Sequence, residues 1–149
     1  MQEKAEQGDA ILALCAALRE EGNIFVQAEL ERYGITDLLP AHGAVLNALF
    51  GENPLRMQEL ARRIGRKKST VTGLIDTLQT RGYCERVQDQ EDGRGQWVRL
   101  CAKGEAVRTC QESISCALRE KVWQGIEISD RAQCMETLSR VLANLRSHK

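Results

Sequence analysis

Apolar positions in this chain recur mostly at helical spacing, and they alternate in one short region. From about Gln7 to Tyr33, Ile11, Leu18 and Phe25 repeat every seven residues, with Leu14 and Cys15 between the first two. Gly34 is placed to end that helix. A second helix starts after Pro40, runs through Val45, Leu46, Leu49 and Phe50, and stops at Gly51 and Pro54. Leu60, Ala61 and Ile64 share a face with Met57, which predicts a short helix over Met57–Ile64 closed by Gly65, where a left-handed backbone suits glycine. Val71, Leu74, Ile75 and Leu78 form one stripe of a helix from Lys67 or Lys68 to about Arg81, closed by Gly82. Then the period changes. Val98 and Leu100 alternate with Trp97 and Arg99, so Gln96–Cys101 reads as a strand, with Tyr83–Val87 as its partner and DQEDGRGQ between them. After Gly104, Val107, Cys110, Ile114, Ala117, Leu118 and Val122 mark one long helix. Ser129 is a candidate N-cap for a last helix with Met135, Leu138, Val141, Leu142 and Leu145 on its stripe.

The order from Pro54 to Gly104 is a short helix, a tight turn, a second helix with Lys, Ser and Thr on its polar face, and a hairpin with an arginine-bearing tip. That order predicts a winged helix-turn-helix, whose chemistry is contact with DNA backbone and grooves. The fold class is mainly α with a small β-hairpin wing. Lys67, Lys68, Ser69, Thr70, Thr72 and Gly73 lie off the apolar stripe, and short hydroxyl side chains let a helix approach phosphates and base edges closely. Lys67 cannot accept a hydrogen bond, so it leaves the helix start uncapped. An open, positive helix end is a phosphate site. Gly93 and Gly95 flank Arg94. A narrow tip presenting one arginine suits a minor groove; the alternative is a solvated turn.

Charge distribution supports nucleic acid, although the formal net charge of the 149 residues is +0. Between Leu55 and Lys103 stand 11 Lys and Arg against 6 acids, an excess of 5, so the rest of the chain carries a matching deficit. A basic block on acidic flanks favours DNA at one face. The length bounds a single domain spanning 1–149, in which 54–103 is the DNA-binding region. The apolar terminal helices, 7–34 and 104–147, need a partner surface. Exchange between two protomers supplies one; packing back on their own domain is the alternative.

The segments ELARRIG, STVTGLIDTLQTRGY and DQEDGRGQWVRLCAKG together resemble the MarR family of transcriptional regulators. The resemblance covers nearly the whole chain. It implies a homodimer, with wing and recognition helix contacting DNA and an effector site near the junction with the dimerisation helices. The reading that follows is a repressor on a pseudo-palindromic duplex operator, released by a small-molecule effector, with no cofactor. By motif position the resemblance makes Ser69, Thr70 and Thr72 recognition-helix contacts. It makes Asp92 and Arg94 the wing pair, with the anionic Asp92 bracing the arginine. Gly73 departs from the family pattern, standing where a basic side chain is common. A mid-helix glycine costs roughly 1 kcal/mol relative to alanine.

Six cysteines, Cys15, Cys84, Cys101, Cys110, Cys116 and Cys134, form no CxxC, and His42 and His148 are the two imidazoles, so no metal site is expected. Cys15, in LALCAAL, is the candidate redox thiol, because a peroxide-sensing branch of the family carries a cysteine in its first helix. Its apolar neighbours suit a buried interface instead, where a thiol pKa rises. His42 reads as an effector or proton-sensing group, or as a partly exposed histidine at a helix start. Asp76 faces outward, where it repels phosphate unless it reads a cytosine amine or pairs with an arginine. No nucleophile elbow or phosphate loop suggests an enzyme. No signal peptide or membrane span is read, which suggests a cytoplasmic location. The functional alternatives are a cysteine-based redox regulator on the same scaffold and a winged-helix module for protein interaction.

Overall fold

The computed structural model describes residues 2–91 and 93–147. Seven helices and three strands are described: α1 (Gln2–Arg32), α2 (Pro40–Gly51), β1 (Leu55–Arg56), α3 (Met57–Ile64), α4 (Lys68–Thr80), β2 (Cys84–Gln88), β3 (Gln96–Leu100), α5 (Ala102–Ala106), α6 (Arg108–Val122) and α7 (Ile128–Arg146). The helix-turn-helix pair falls where its apolar stripes place it. Gly65 ends α3 in the left-handed region, at φ 64°.

The described residues up to Ser115 pack as one unit and those from Cys116 onward as another. The core of the first unit gathers Leu30 and Leu38 with Val45, Leu46 and Leu49 of α2, Leu60 of α3, Val71, Ile75 and Leu78 of α4, and Val98 of β3. Leu74, on the same stripe, is half-buried and packs against that cluster. The stripe of α4 is thus the surface that fastens this helix down, leaving Lys68, Ser69, Thr70 and Gly73 exposed.

One expectation is extended and two need correction. The expected hairpin forms from β2 and β3, and β1 adds a third strand to it, giving the antiparallel order β1-β3-β2, with Leu55 opposite Val98 and Arg56 opposite Trp97. Two residues after a proline are too short to show an alternating pattern, and only the pairing reveals them. The helix after Gly104 is not continuous, because Val107 adopts φ −90°, ψ 0° between α5 and α6. Gly104 lies inside α5, where a Cβ would sit 2.1 Å from the Tyr83 carbonyl oxygen; only glycine allows that approach. Finally, the last helix is entered from Glu127, two residues before Ser129, with no side-chain cap.

His42 is buried rather than partly exposed. It stands at the third residue of α2, and its Nδ1 accepts the Leu39 backbone N–H at 3.0 Å. This satisfies a donor that Leu39 would otherwise leave orphaned at the helix start. Nearby, the Tyr83 hydroxyl donates to Asp37 at 2.6 Å and Lys103 Nζ meets the same carboxylate at 2.9 Å. These bonds tie the segment before α2 to the exit from α4 and the start of α5. They hold the Asp37 carboxyl below its ordinary pKa, the tyrosine bond first and the lysine second, while burial raises that of Tyr83.

Apolar side chains remain uncovered in each unit. On α1, Leu12, Leu14, Leu18 and Ile24 are each more than half exposed. In the second unit, Val122, Ile128, Met135, Leu142 and Leu145 are exposed, and α7 has no buried residue among those described. No described helix is long and apolar enough to cross a membrane.

Candidate nucleic-acid interface

The N-terminus of α4 is open. Lys67 occupies the cap position at φ −64°, ψ 147°, and no side chain caps the helix. Its first amides therefore lack a side-chain acceptor, next to Lys67 and Lys68 in the chain, as an anion site requires. Ser69 and Thr70 are exposed beside them. Thr72 is more constrained, since its hydroxyl donates to the Lys68 carbonyl at 2.9 Å. That proton is used within the helix, so Thr72 meets an outside group as an acceptor or through its methyl. Gly73 is exposed, and nothing lies within 4 Å of where a Cβ would be.

A polar cleft of about 530 Å³ lies between this helix and the wing, lined by Arg56, Met57, Gln58, Lys68, Thr72, Arg94, Gly95 and Gln96. It brings Lys68 and Thr72, far from the wing in sequence, to one surface with Arg94. Lys67, Ser69, Thr70 and Gly73 do not line it. Arg56, Gln58 and Gln96 were not singled out from sequence. The signal available was weak: they are isolated polar residues whose convergence depends on β1 pairing with β3.

Asp92 lies outside the described residues. Asp89 holds the wing: its carboxylate accepts from Arg56 at 2.8 Å and from the Glu91 amide at 3.1 Å. Trp97 packs beneath, with the Arg56 guanidinium 4.9 Å from its ring centre, a cation–π geometry.

Two further pairs shape the field. Asp76 is paired with Arg86 of β2 at 2.5 Å, which answers how an acid stands on this helix. Arg86 also reaches Gln79 at 3.1 Å, bracing α4 against the sheet. On α3, Glu59 accepts from Arg62 and Arg63, which together hold its carboxyl at a pKa of about 2. These arginines are therefore partly neutralised, and the less encumbered cations lie at the α4 start and the wing.

The thiols divide by environment. Cys84 is buried and its pKa is pushed up to about 12, chiefly by burial. Burial also raises those of Cys101 and Cys110. Cys15 is exposed in the single chain. Among the described residues, no cluster of three His, Cys, Asp or Glu is arranged to hold a metal ion.

The family model described as "MarR family" matches residues 39–95, from the residue before α2 through the wing tip. The HTH-type transcriptional regulator SarZ of Staphylococcus haemolyticus is 26% identical over 110 residues, 72% of each chain. A crystal structure of a MarR-family transcriptional regulator from Silicibacter pomeroyi is 26% identical, with a TM-score of 0.68 over 91% of this chain and 90% of that one. In sequence over residues 39–95, and in fold over most of its length, the chain is similar to MarR-family regulators. A structure of reduced AbfR bound to DNA superposes with a TM-score of 0.78 over 97% of both chains; at 21% identity that likeness is one of fold. Transcription regulation is the role of the similar SarZ and Silicibacter pomeroyi proteins, and the winged helix is the fold the chain shares with the solved structures. The cleft thus joins the start of α4 to the wing on one surface.

Proposed function

We propose that this protein is a homodimeric, sequence-specific repressor that binds a pseudo-palindromic duplex through the α4 N-terminus and the wing. The observation that carries the reading is the convergence of Lys68, Thr72 and Arg94 on one cleft. In this reading, Lys67, Lys68 and the open amides take phosphate, and Ser69, Thr70 and Thr72 face base edges. Gly73 lets the duplex approach, and Arg94 enters the minor groove. Asp92 keeps its expected role as a brace for Arg94. The uncovered faces of 7–34 and of 104–147 suit a second copy of the chain, which would set two half-sites at a fixed spacing. Residues 54–103 form the DNA-binding region in this division.

Selection of sites from random duplex DNA tests this. A recovered pseudo-palindrome, with log affinity falling by about 0.9 per phosphate neutralised as log salt rises, is expected. A salt-insensitive affinity, or no binding to any duplex at low salt, would refute it.

We assign release to a small-molecule effector bound near the junction of the DNA-binding region and the dimerisation helices. The raised thiol pKa values of Cys84, Cys101 and Cys110 suppress the thiolate that oxidation requires. A second reading, redox release through Cys15, gains support from the exposure of that thiol. Operator binding before and after dilute peroxide separates the two. An unaffected parent protein supports the small molecule; release of the parent but not of Cys15→Ser supports the thiol.

A further inference from the structure

Arg56 occupies the cap position of α3, at φ −70° and ψ 146°, and it makes no cap bond there. Arginine has no acceptor with which to cap a helix. Its side chain is instead directed across the sheet. Opposite Trp97 in the β1–β3 ladder, it lies over the indole, and its Nη2 donates to Asp89 Oδ2 at 2.8 Å.

Asp89 follows the last residue of β2 and organises the loop that carries Arg94. Its amide donates to the Gly95 carbonyl at 3.0 Å, and its carbonyl accepts the Gly93 amide at 3.1 Å. Both glycines flanking Arg94 are thereby bonded to Asp89, and Asp89 is bonded to Arg56. The packing is close: a Cβ on Gly95 would lie 3.3 Å from Arg56 Nη1 and 3.5 Å from Asp89 Oδ2. At the other end, Arg56 adjoins Leu55 and Met57, both in the core. A continuous chain of contacts thus runs from the core, through Arg56 and Asp89, to the wing tip.

We propose that Arg56 is a positioning residue for DNA binding: acting through Asp89, it sets where the wing holds Arg94 relative to α4. This rests on the reading that Arg94 contacts DNA. The Arg56 side chain is 47% exposed, so the pair contributes little to stability. Its consequence is geometric. Without that brace a loop with glycine on both sides of Arg94 would be free to swing, and ordering it only on binding would weaken the complex.

Amide relaxation of the free, full-length protein tests the brace without DNA. In Arg56→Gln, heteronuclear NOEs at Gly93, Arg94 and Gly95 should fall while those in α3 and α4 stay unchanged. Asp89→Asn should loosen the same residues. Unchanged wing NOEs in Arg56→Gln would overturn the proposal, whatever the protein does with DNA. A double-mutant cycle on a selected duplex follows. A lost arginine contact weakens binding by about 5- to 150-fold, and Arg56→Gln should lose no more than Arg94→Ala does. On the Arg94→Ala background it should cost nothing further. Additive losses, with a salt slope shallower by about one, would make Arg56 an independent phosphate contact and refute positioning. A parent protein that bound no duplex would instead refute the DNA reading, and the relaxation data would still report on the brace.

Discussion

Gly73→Ala should make the protein more stable while weakening its hold on DNA. Gly73 lies in the middle of α4, between Lys68 and Thr80, and is not among the glycines with positive φ. It therefore uses an ordinary helical conformation that alanine shares. A Cβ built there meets nothing within 4 Å, so no steric cost opposes the change. What remains is the backbone entropy that glycine loses on entering a helix, about 0.8–1.0 kcal/mol relative to alanine. For a chain of this size that corresponds to a rise in Tm of about 2–4 °C. Thermal unfolding followed by circular dichroism measures it. An unchanged or lower Tm would mean that position 73 is not an open, regular helical site. The functional half is independent. Gly73 neighbours Thr72 on the exposed side of the helix, so an added methyl should hinder close approach of a selected duplex. Fluorescence anisotropy reads that affinity. If alanine binds as tightly as glycine, the residue lies off the contact surface and its presence has no functional reason. A rise in stability with a loss of affinity is the pattern of a site selected for function.

Leu78→Ala removes a fully buried side chain from the stripe fastening α4 and should destabilise by about 2–5 kcal/mol through cavity formation, whereas exposed Ser69→Ala should leave chemical denaturation unchanged. The reverse pattern would mean that α4 faces the other way. His42 offers a pH test. Burial, then the nearby Arg81 charge, lowers its pKa from 6.5, with Asp37 opposing. Below that pH the unfolded chain takes up a proton that the folded chain refuses, so stability should fall as pH drops from 6.5 toward the depressed folded value, then level off. His42→Gln retains an acceptor for the Leu39 amide but cannot titrate, and should lose this component of the Tm–pH slope; an identical slope would place the titration elsewhere. Removing residues from Ser129 onward should abolish self-association in sedimentation velocity, because the stripe of Leu138, Val141, Leu142 and Leu145 that a second copy would cover is gone; a folded dimer without them would move the interface to α1.

Local pattern was sufficient for the helix-turn-helix. The α3 bounds and the stripe of α4 follow from 3.6-residue periodicity and from Gly65, because both helices are amphipathic and each shows one face to a core. The basic excess of 54–103 and the arginine between glycines are likewise properties of neighbouring residues, so they could be read before any folding. Other features depend on residues distant in sequence. Leu55 and Arg56 become a strand only by pairing with Trp97 and Val98, and two residues carry no period. Arg86 neutralises Asp76 from the next strand. Asp89 holds the wing because Arg56, 33 positions earlier, reaches it. Gly104 stands just before the helix expected from sequence, but it sits inside α5, where the Tyr83 carbonyl occupies the space of a side chain. His42 is buried because of elements that pack over α2. Sequence alone determined which faces are apolar and where charge accumulates, since both are set residue by residue. Tertiary structure decided which charges are already paired, and which of the remaining groups converge on one cleft, because that requires strands and helices far apart in the chain to meet.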